Sequence, residues 1–214
     1  MGQATRRRNP RGQGQLLRDQ LVEATARLLA TMDRPETLTL RQVAREVGVA
    51  PASIYSHFAD LTALIEHVLK LRYDELGCLM NAAAAATTSP LAELVARCAA
   101  YVHWGVEHPG EYRTLIGGAM PEQLVPLNAH GAGEELLNAL VRALAAARRQ
   151  DGEPPAADEQ WRAGLILWTG MHGLVSLYNS HGNLPWPALD DLLAQLLSLH
   201  TGCTTTKIED LMAG

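Results

Sequence analysis

A short polar segment at residues 50–57 carries hydrogen-bonding side chains at outward positions. Ser53, Tyr55 and His57 bring hydroxyl and imidazole groups that donate and accept hydrogen bonds. Pro51 adds a small apolar surface that can contact a thymine methyl group. Groups of these kinds contact phosphate oxygens and base edges in the major groove of DNA, which is roughly 12 Å wide. The segment therefore predicts a nucleic-acid contact surface.

Two short helices separated by a tight turn must position this segment. Thr39 and Gln42 have the spacing of a capping box, which begins the first helix. Gly48 tolerates the left-handed conformation that ends a helix, and Pro51 suits the first position of the next one because its missing N–H costs nothing there. The pattern predicts a helix-turn-helix. Its apolar positions are expected to pack with the first helix of the chain: Leu40, Val43, Ala44, Val47, Val49, Ile54 and Phe58.

Charge is divided unevenly along the chain. The net charge of -5 conceals a basic part, residues 1–73, with 11 Lys and Arg against 7 Asp and Glu, whereas residues 74–214 hold 7 against 16. This division is typical of a nucleic-acid-binding head joined to a body that does not bind nucleic acid. The arm at residues 1–12 either enters the minor groove and neutralises phosphates or is a solvated tail. Its basic side chains are Arg6, Arg7, Arg8 and Arg11.

The sequence predicts no enzyme activity, no cofactor and no metal. It contains no HExxH, no GxSxG and no glycine-rich phosphate loop. His103 and His108, five residues apart, do not share a helix face well enough to form a metal pair. Cys78, Cys98 and Cys203 stand far apart without CxxC-like spacing, which argues against a zinc site and against a disulfide framework.

Hydropathy predicts a cytoplasmic protein without a membrane partner. No stretch approaches the roughly 18 consecutive apolar residues of a membrane span, since Thr169, Gly170 and Gly173 interrupt even residues 165–177. Polar residues and glycines, rather than an apolar region, follow the basic start. The start of the chain therefore does not read as a secretory signal.

Apolar residues recur at spacings of three and four almost throughout, which predicts an all-α fold. Residues 117–133 contain too many glycines and prolines for one regular helix. After residue 200 comes a threonine run, and we expect a frayed tail over residues 201–214. The predicted helices run at about 13–31, 40–46, 51–57, from near Asp60, and at about 90–107, 111–117, 134–149, 157–180 and 187–200.

The helix-turn-helix closely resembles the DNA-binding signature of the TetR (tetracycline-repressor) family: Leu40-x-x-Val43-Ala44-x-x-Val47-Gly48-Val49-x-x-x-Ser53-Ile54-Tyr55-x-His57-Phe58. The resemblance covers about 60 residues and differs from the family pattern at two places. Met32-Asp33-Arg34 stands where the family usually has glycine, and Leu61 stands where it usually has lysine, a common phosphate contact.

The resemblance implies contacts with DNA. Tyr55 and His57 correspond to phosphate contacts, and residues 50–53 correspond to contacts with bases. Backbone N–H groups at the start of the next helix can still bind a phosphate. The residues expected to contact DNA are Thr39, Arg41, Ala50, Pro51, Ala52, Ser53, Tyr55, Ser56, His57, Leu61 and Thr62.

The resemblance also implies a homodimer, formed by the last two long helices at about 157–180 and 187–200. In the first of them, the stripe Ile166, Gly170, Gly173 and Leu177 includes small residues that permit close helix approach. Two-fold symmetry suits a palindromic operator. Trp168-Thr-Gly-Met-His172-Gly173 resembles the Trp-His-Gly signature of one subgroup of the family.

A small-molecule effector is implied as the second partner. Its pocket is expected to be mostly apolar with few polar groups, and no charged residue clearly belongs to it. Each candidate residue has an alternative role in core packing or in the dimer interface. The candidates are Trp104, His108, Tyr112, Met120, Trp161, Leu165, Trp168 and His172.

These observations predict a repressor that releases a palindromic operator when a small, mostly apolar ligand binds. The alternative is a TetR-like ligand-binding or scaffold protein without specific operator binding. The expected fold is an N-terminal three-helix helix-turn-helix domain plus a C-terminal helical domain for ligand binding and dimerisation. The predicted divisions are a flexible basic arm at 1–12, the DNA-binding domain at 13–59, the ligand-binding and dimerisation domain at 60–200, and the frayed tail at 201–214.

Overall fold

Helices form the protein throughout the part of the chain that the structure, a computed structural model, describes: residues 13–116, 130–148 and 156–213. Those residues contain no strand, which confirms the all-α prediction. None of the described helices is long and apolar enough to cross a membrane. The helices are α1 (Gln13–Thr31), α2 (Leu40–Val47), α3 (Leu61–Ala85), α4 (Pro90–Glu107), α5 (Pro109–Leu115), α6 (His130–Ala147), α7 (Ala157–Ser180), α8 (Leu189–Thr201) and α9 (Thr205–Ala213). Short 3₁₀ helices lie at Pro35–Thr37 and Pro51–Ser56.

The ends of α2 follow from the residues that flank it. The Gln42 amide N–H donates to the Thr39 hydroxyl at 3.3 Å, and the Gln42 side-chain oxygen accepts from the Thr39 amide at 2.8 Å. This is the expected capping box. Gly48 ends α2 with a φ of 76°, which a side chain with a Cβ adopts only at a cost.

Residues Pro51–Ser56, named here the recognition segment, form a 3₁₀ helix rather than an α-helix. The sequence predicted a helix over about 51–57. A segment this short forms few internal hydrogen bonds, so the tighter 3₁₀ form is accessible to it. Beyond the segment, Asp60 caps α3 by accepting a hydrogen bond from the Ala63 amide at 2.8 Å.

The prediction of a frayed tail over residues 201–214 was wrong. Gly202, with a φ of 73°, ends α8, and the chain then forms α9 across Thr205–Ala213. Helix α9 packs against α4 and α8, and Ile208 is 0% exposed. The threonine run obscured this helix, but Ile208, Leu211 and Met212 share the spacing of one apolar helix face.

Two hydrophobic clusters share α3. The N-terminal cluster joins α1, α2 and the recognition segment to the first half of α3, including Leu64 and Leu69. The C-terminal cluster takes the second half of α3, including Leu76 and Met80, together with α4 to α9. The sequence placed a domain boundary between residues 59 and 60, and the apolar contacts of the N-terminal helices continue past that point to Leu69.

Helix α5 provides a second connection between the two clusters. A Cβ on Gly110 would lie 2.2 Å from the carbonyl oxygen of Ala30, so the backbones of α5 and α1 are in close contact. Arg113 donates to the carbonyl oxygens of Ala30 and Met32 at 3.2 and 3.1 Å. These carbonyls lie at the C-terminal end of α1, where the helix itself supplies no donors.

Candidate nucleic-acid interface and ligand site

The recognition segment exposes Tyr55 and Ser56 to solvent, leaves Ser53 half-buried and buries one apolar anchor. Ile54 is 0% exposed and belongs to the N-terminal cluster, whereas Tyr55 is 62% exposed. Pro51 and Ala52 are exposed as well. The Ser56 hydroxyl donates to a backbone carbonyl within the segment. Burying Ile54 fixes the segment on the N-terminal cluster while its other side chains remain available to a partner.

The remaining candidate DNA contacts flank this segment. Thr39 and Arg41 are exposed at the start of α2, and Ala50 is exposed just before the recognition segment. His57 is half-buried after its end. All of the candidates thus lie at the start of α2, in and beside the recognition segment, or in the first turn of α3. Arg6, Arg7, Arg8 and Arg11 lie outside the described residues.

The first turn of α3 is less basic than the family pattern. Leu61 and Thr62 are both half-buried there. The carboxylate of Asp60 occupies the capping position and accepts from the Ala63 amide. A phosphate bound at this helix end would rely on backbone N–H groups and would approach a carboxylate of the same charge.

Arg18, on α1, was not among the residues expected from the sequence. Its Nη1 donates to the carbonyl oxygen of His57 at 3.0 Å, and its guanidinium carbon lies 4.3 Å from the centroid of the Phe58 ring. Position 18 directly follows Leu17, which with Leu21, Ala24 and Leu28 has the three- and four-residue spacing of one apolar face of α1. An arginine beside such a face is the sequence signal that could have indicated a role within the helix-turn-helix.

A group of aromatic rings, named here the aromatic cluster, joins α4, α5 and α7. Trp168 stacks on His172 with 5.6 Å between ring centroids, and the Tyr112 ring lies 5.5 Å from His172. Trp104 stacks on His108 at 5.7 Å and lies 6.5 Å from Tyr112. The structure thus brings together five of the predicted ligand-site residues.

Tyr112 and His172 form the polar centre of the aromatic cluster. The Tyr112 hydroxyl lies 2.5 Å from Nδ1 of His172, and Tyr112 is 3% exposed. Burial raises the pKa of Tyr112 to about 12 and lowers the pKa of His172 below its ordinary value. Both shifts favour the neutral forms, and which of the two groups donates depends on the tautomer of His172. The Tyr112 hydroxyl also donates to the backbone carbonyl oxygen of His172 at 3.2 Å.

Tyr101 adds a buried hydroxyl to the same cluster. Its ring lies 6.2 Å from that of Tyr112, and the residue is 2% exposed. Among the described residues its hydroxyl makes no hydrogen bond of ordinary geometry, although the side chains of Tyr112 and Trp168 lie near enough to affect its pKa. Burial is the main reason that the pKa of Tyr101 stands well above its ordinary value. An unpaired buried hydroxyl lowers stability.

The other predicted ligand-site residues lie elsewhere. Trp161 and Leu165 are exposed in the N-terminal half of α7, apart from the ring contacts of Trp168 and His172. Met120 lies outside the described residues. Within the described ranges, no group of three or more histidines, cysteines or acidic residues is placed to hold a metal ion.

Helices α7 and α8 leave apolar side chains uncovered. Ile166 is 55% exposed and Leu199 is 83% exposed, and Leu177 is exposed as well. Gly170 instead faces α8 of its own chain, because a Cβ there would lie 2.8 Å from Cδ1 of Leu196. Of the predicted small-residue stripe, Ile166, Gly173 and Leu177 therefore remain for an outside neighbour.

The sequence matches two family descriptions. Residues 21–68 match the bacterial regulatory proteins of the tetR family, and residues 94–199 match the tetracyclin repressor-like C-terminal domain. The first match contains the complete helix-turn-helix. The second begins within α4 and ends within α8.

Individual proteins resemble the chain over most of its length. It is 26% identical over 152 residues to the nucleoid occlusion factor SlmA of Escherichia coli O1:K1, covering 70% of this chain and 77% of SlmA. A solved structure of a protein with unknown function from Rhodococcus sp. RHA1 is 25% identical, with a TM-score of 0.67, and the match covers 87% of this chain and 94% of that one. The fatty acid degradation regulator FadR from Bacillus halodurans shares the fold, with 14% identity, a TM-score of 0.68, and coverage of 86% and 97%.

Proposed function

Because the chain belongs to the TetR family of DNA-binding transcriptional regulators, we propose that it is a repressor that releases a palindromic operator when a small, mostly apolar ligand binds. The observation that carries this proposal is the recognition segment, in which a buried Ile54 supports an exposed Tyr55 and its polar neighbours. A regulator of this kind acts on the chromosome, and we propose a cytoplasmic location.

The proposed contacts with DNA divide into two kinds. Residues 50–53 approach the base edges in the major groove, and Pro51 and Ala52 read them by apolar contact. Tyr55 and His57 bind phosphates. Thr39, Arg41 and Ser56 lie beside them, and the first-turn N–H groups of Leu61 and Thr62 bind a further phosphate. Because few of these contacts are hydrogen bonds to bases, the basic arm at 1–12 supplements them.

Dimerisation is proposed to occur through α7 and α8. The exposed side chains of Ile166, Leu177 and Leu199 would lose contact with water on association, which is the main driving force for most protein interfaces. A two-fold dimer places two recognition segments in successive major grooves, roughly 34–36 Å apart.

The aromatic cluster is proposed to bind the effector. The described rings offer a largely apolar surface with two polar points, the Tyr112–His172 pair and the Tyr101 hydroxyl. Neither point carries charge at neutral pH, which suits a neutral aromatic or aliphatic molecule. Trp161 and Leu165, which are exposed in the N-terminal half of α7, would contribute to the site only at its edge. Met120, outside the described residues, remains a candidate for the site.

Effector and operator are proposed to be coupled through α3 and α5. Helix α3 belongs to both hydrophobic clusters, so a shift of its second half displaces the first. Helix α5 carries Tyr112 on one side and holds the end of α1 through Arg113 on another. Typical coupling energies of about 1–3 kcal/mol correspond to roughly 5- to 150-fold weaker operator binding.

A second candidate is a TetR-like ligand-binding or scaffold protein that does not bind a specific operator. The aliphatic Leu61 and the acidic cap Asp60 favour it, since Leu61 stands in place of a basic phosphate contact and Asp60 adds a carboxylate next to it. Its discriminating property is DNA binding that depends on salt but not on sequence.

The deciding experiment is a titration of the purified protein against the intergenic DNA upstream of its own gene and against a scrambled duplex, at two salt concentrations. The repressor proposal expects selective binding with a steep salt dependence. Equal, weak binding to both duplexes would show that the protein does not regulate its own gene, and the operator would then be sought by a genome-wide search. If that search also finds no site, the second candidate replaces the repressor.

A further inference from the structure

Arg18 connects three elements of the N-terminal helices through one side chain. It lies on α1, donates from Nη1 to the carbonyl oxygen of His57, and stacks on the ring of Phe58. Its Nη2 lies 3.5 Å from Nδ1 of His67, which belongs to α3. The Phe58 and His67 rings are themselves 5.8 Å apart. Arg18 therefore holds the chain directly after the recognition segment against both flanking helices.

The carbonyl of His57 needs a donor from outside its own segment. The amides of His57 and Phe58 both donate back to the carbonyl of Ile54, at 2.8 and 3.0 Å, and the 3₁₀ helix ends there. No further helical turn follows to satisfy the His57 carbonyl. The Arg18 guanidinium supplies that donor and so fixes the peptide that follows the exposed face of the recognition segment.

No carboxylate pairs directly with Arg18 in the part of the chain that the structure describes. A cleft of about 360 Å³ opens beside it, lined also by Glu66, His67 and Lys70. Burial, followed by the charges of Arg18 and Lys70, lowers the pKa of His67. A neutral His67 can accept a hydrogen bond from Arg18, whereas a protonated one cannot.

We propose that Arg18 is a positioning residue for DNA recognition, which sets the orientation of the recognition segment without itself contacting DNA. The guanidinium makes three contacts at one junction, and its planar fork can donate to two acceptors while its face covers the Phe58 ring. The inference rests on the proposed function, because it presupposes sequence-selective binding.

The test compares Arg18→Gln with the matched control Arg27→Gln. Arg27 lies on the same helix, is exposed, and forms only a 3.5 Å ion pair with Glu46. Both variants remove one positive charge from α1. The probe is the duplex that the wild-type full-length protein binds most tightly after selection from a random-sequence library. The reference is a scrambled duplex of the same composition. Circular dichroism and thermal melting confirm that each variant is folded.

We expect Arg18→Gln to weaken binding of the selected duplex by about tenfold, because the recognition segment must then be oriented on binding, at a cost of up to about one charge-assisted hydrogen bond. Binding of the scrambled duplex should change by less than about threefold, and the salt dependence of binding should stay as in the wild type. Arg27→Gln should leave the ratio of the two affinities unchanged. Arg18→Lys keeps the charge but lacks the fork, so it should restore only part of the lost selectivity.

Several results would overturn the inference. Equal losses on both duplexes, with a salt slope reduced by about one unit, would make Arg18 a phosphate contact. Wild-type selectivity in Arg18→Gln, or complete rescue by Arg18→Lys, would show that the planar guanidinium group is not needed. If Arg18→Gln does not fold, Arg18→Lys decides alone, through the same ratio of affinities. A wild-type protein that selects no sequence would remove the proposed function, and this inference with it.

Discussion

In the N-terminal helices most of the polar side chains proposed for recognition are exposed, and Tyr55 lies exposed directly beside the fully buried Ile54. In the C-terminal cluster the polar atoms of Tyr112 and His172 face each other inside an aromatic environment, and the Tyr101 hydroxyl is buried without a partner among the described residues. A surface that binds a charged polymer can leave its donors hydrated until the partner arrives. A site for an apolar ligand must exclude water, so its few polar groups have to be satisfied within it or by the ligand.

The contact between α1 and α5, which joins the two regions, should be more sensitive to substitution than any other place in the described chain. Gly110→Ala would place a Cβ 2.2 Å from the Ala30 carbonyl oxygen, so α5 must move away from α1. We expect the free energy of unfolding to fall by about 3 kcal/mol, the upper range for overpacking. Gly182→Ala is the control, because nothing lies within 4 Å of its Cβ. Chemical denaturation measures both, and equal stabilities would mean that the α1–α5 contact carries no constraint.

Substitutions on the exposed apolar face of α7 and α8 should change the affinity of the dimer rather than the stability of the fold. Leu177→Glu places a charge in the proposed interface, and we expect the dimer to dissociate at roughly 30-fold higher concentration, equivalent to about 2 kcal/mol. Analytical ultracentrifugation gives the dissociation constant. Leu184→Glu, at an exposed leucine in the turn after α7, serves as the control. An unchanged dimer in Leu177→Glu would place the interface elsewhere.

Two tyrosine hydroxyls in the aromatic cluster should have opposite effects on stability. Tyr112→Phe leaves Nδ1 and the carbonyl oxygen of His172 without their hydrogen-bond partner, and we expect a loss of about 1.5 kcal/mol in the free energy of unfolding. Tyr101→Phe removes an unpaired buried hydroxyl and should stabilise the ligand-free protein by up to about 1 kcal/mol. Denaturant titrations of the two variants provide the measurement. A destabilised Tyr101→Phe would show that this hydroxyl has a partner in solution.

A substitution on the exposed face of the recognition segment should lower the affinity for DNA and leave the stability of the protein unchanged. Tyr55→Ala removes a side chain that is 62% exposed, so the melting temperature should stay close to that of the wild type. If Tyr55 binds a phosphate, operator affinity should fall by about tenfold. Fluorescence anisotropy with the selected duplex measures the affinity. Unchanged binding would remove Tyr55 from the proposed contacts and weaken the contrast between the two regions.

Histidines in both regions should make the protein less stable in mild acid, the smallest of these effects. Burial lowers the pKa of His67, His172 and His200 below the ordinary value of 6.5, so the unfolded chain binds protons more readily than the folded one. Their contribution to stability is complete above pH 6.5 and is lost as the pH falls through the lower folded-state pKa values. Thermal melting between pH 7.5 and pH 5.5, a range chosen to span about one unit on either side of the ordinary value, tests this. A melting temperature that rises towards pH 5.5 would contradict it.

Local sequence signals predicted the helix-turn-helix well because the residues that begin and end its helices act over a range of three or four residues. The Thr39–Gln42 capping box and the left-handed Gly48 form as expected. The same signals failed where the outcome depended on distant contacts. Helix α9 forms because Ile208 packs against a core built from other helices, and the threonine run before it gave the opposite local indication.

The candidate ligand site was predictable in composition but not in geometry. Trp161, Leu165, Trp168 and His172 recur at spacings of three and four along α7 and were all candidate ligand residues, yet only the last two enter the aromatic cluster with Tyr112. Periodicity shows which residues share a face of a helix, and it does not show how far along that face the neighbouring helices reach.

The sequence by itself determined the helical class, the helix-turn-helix and the membership of the TetR family, because each depends on residue types at fixed short spacings. Tertiary structure alone decided that Arg18 caps His57, that Arg113 holds the end of α1, and that Tyr112 meets His172 sixty residues away. Such contacts join side chains from helices whose relative placement is set by the packing of whole faces, so no local pattern in the chain specifies them.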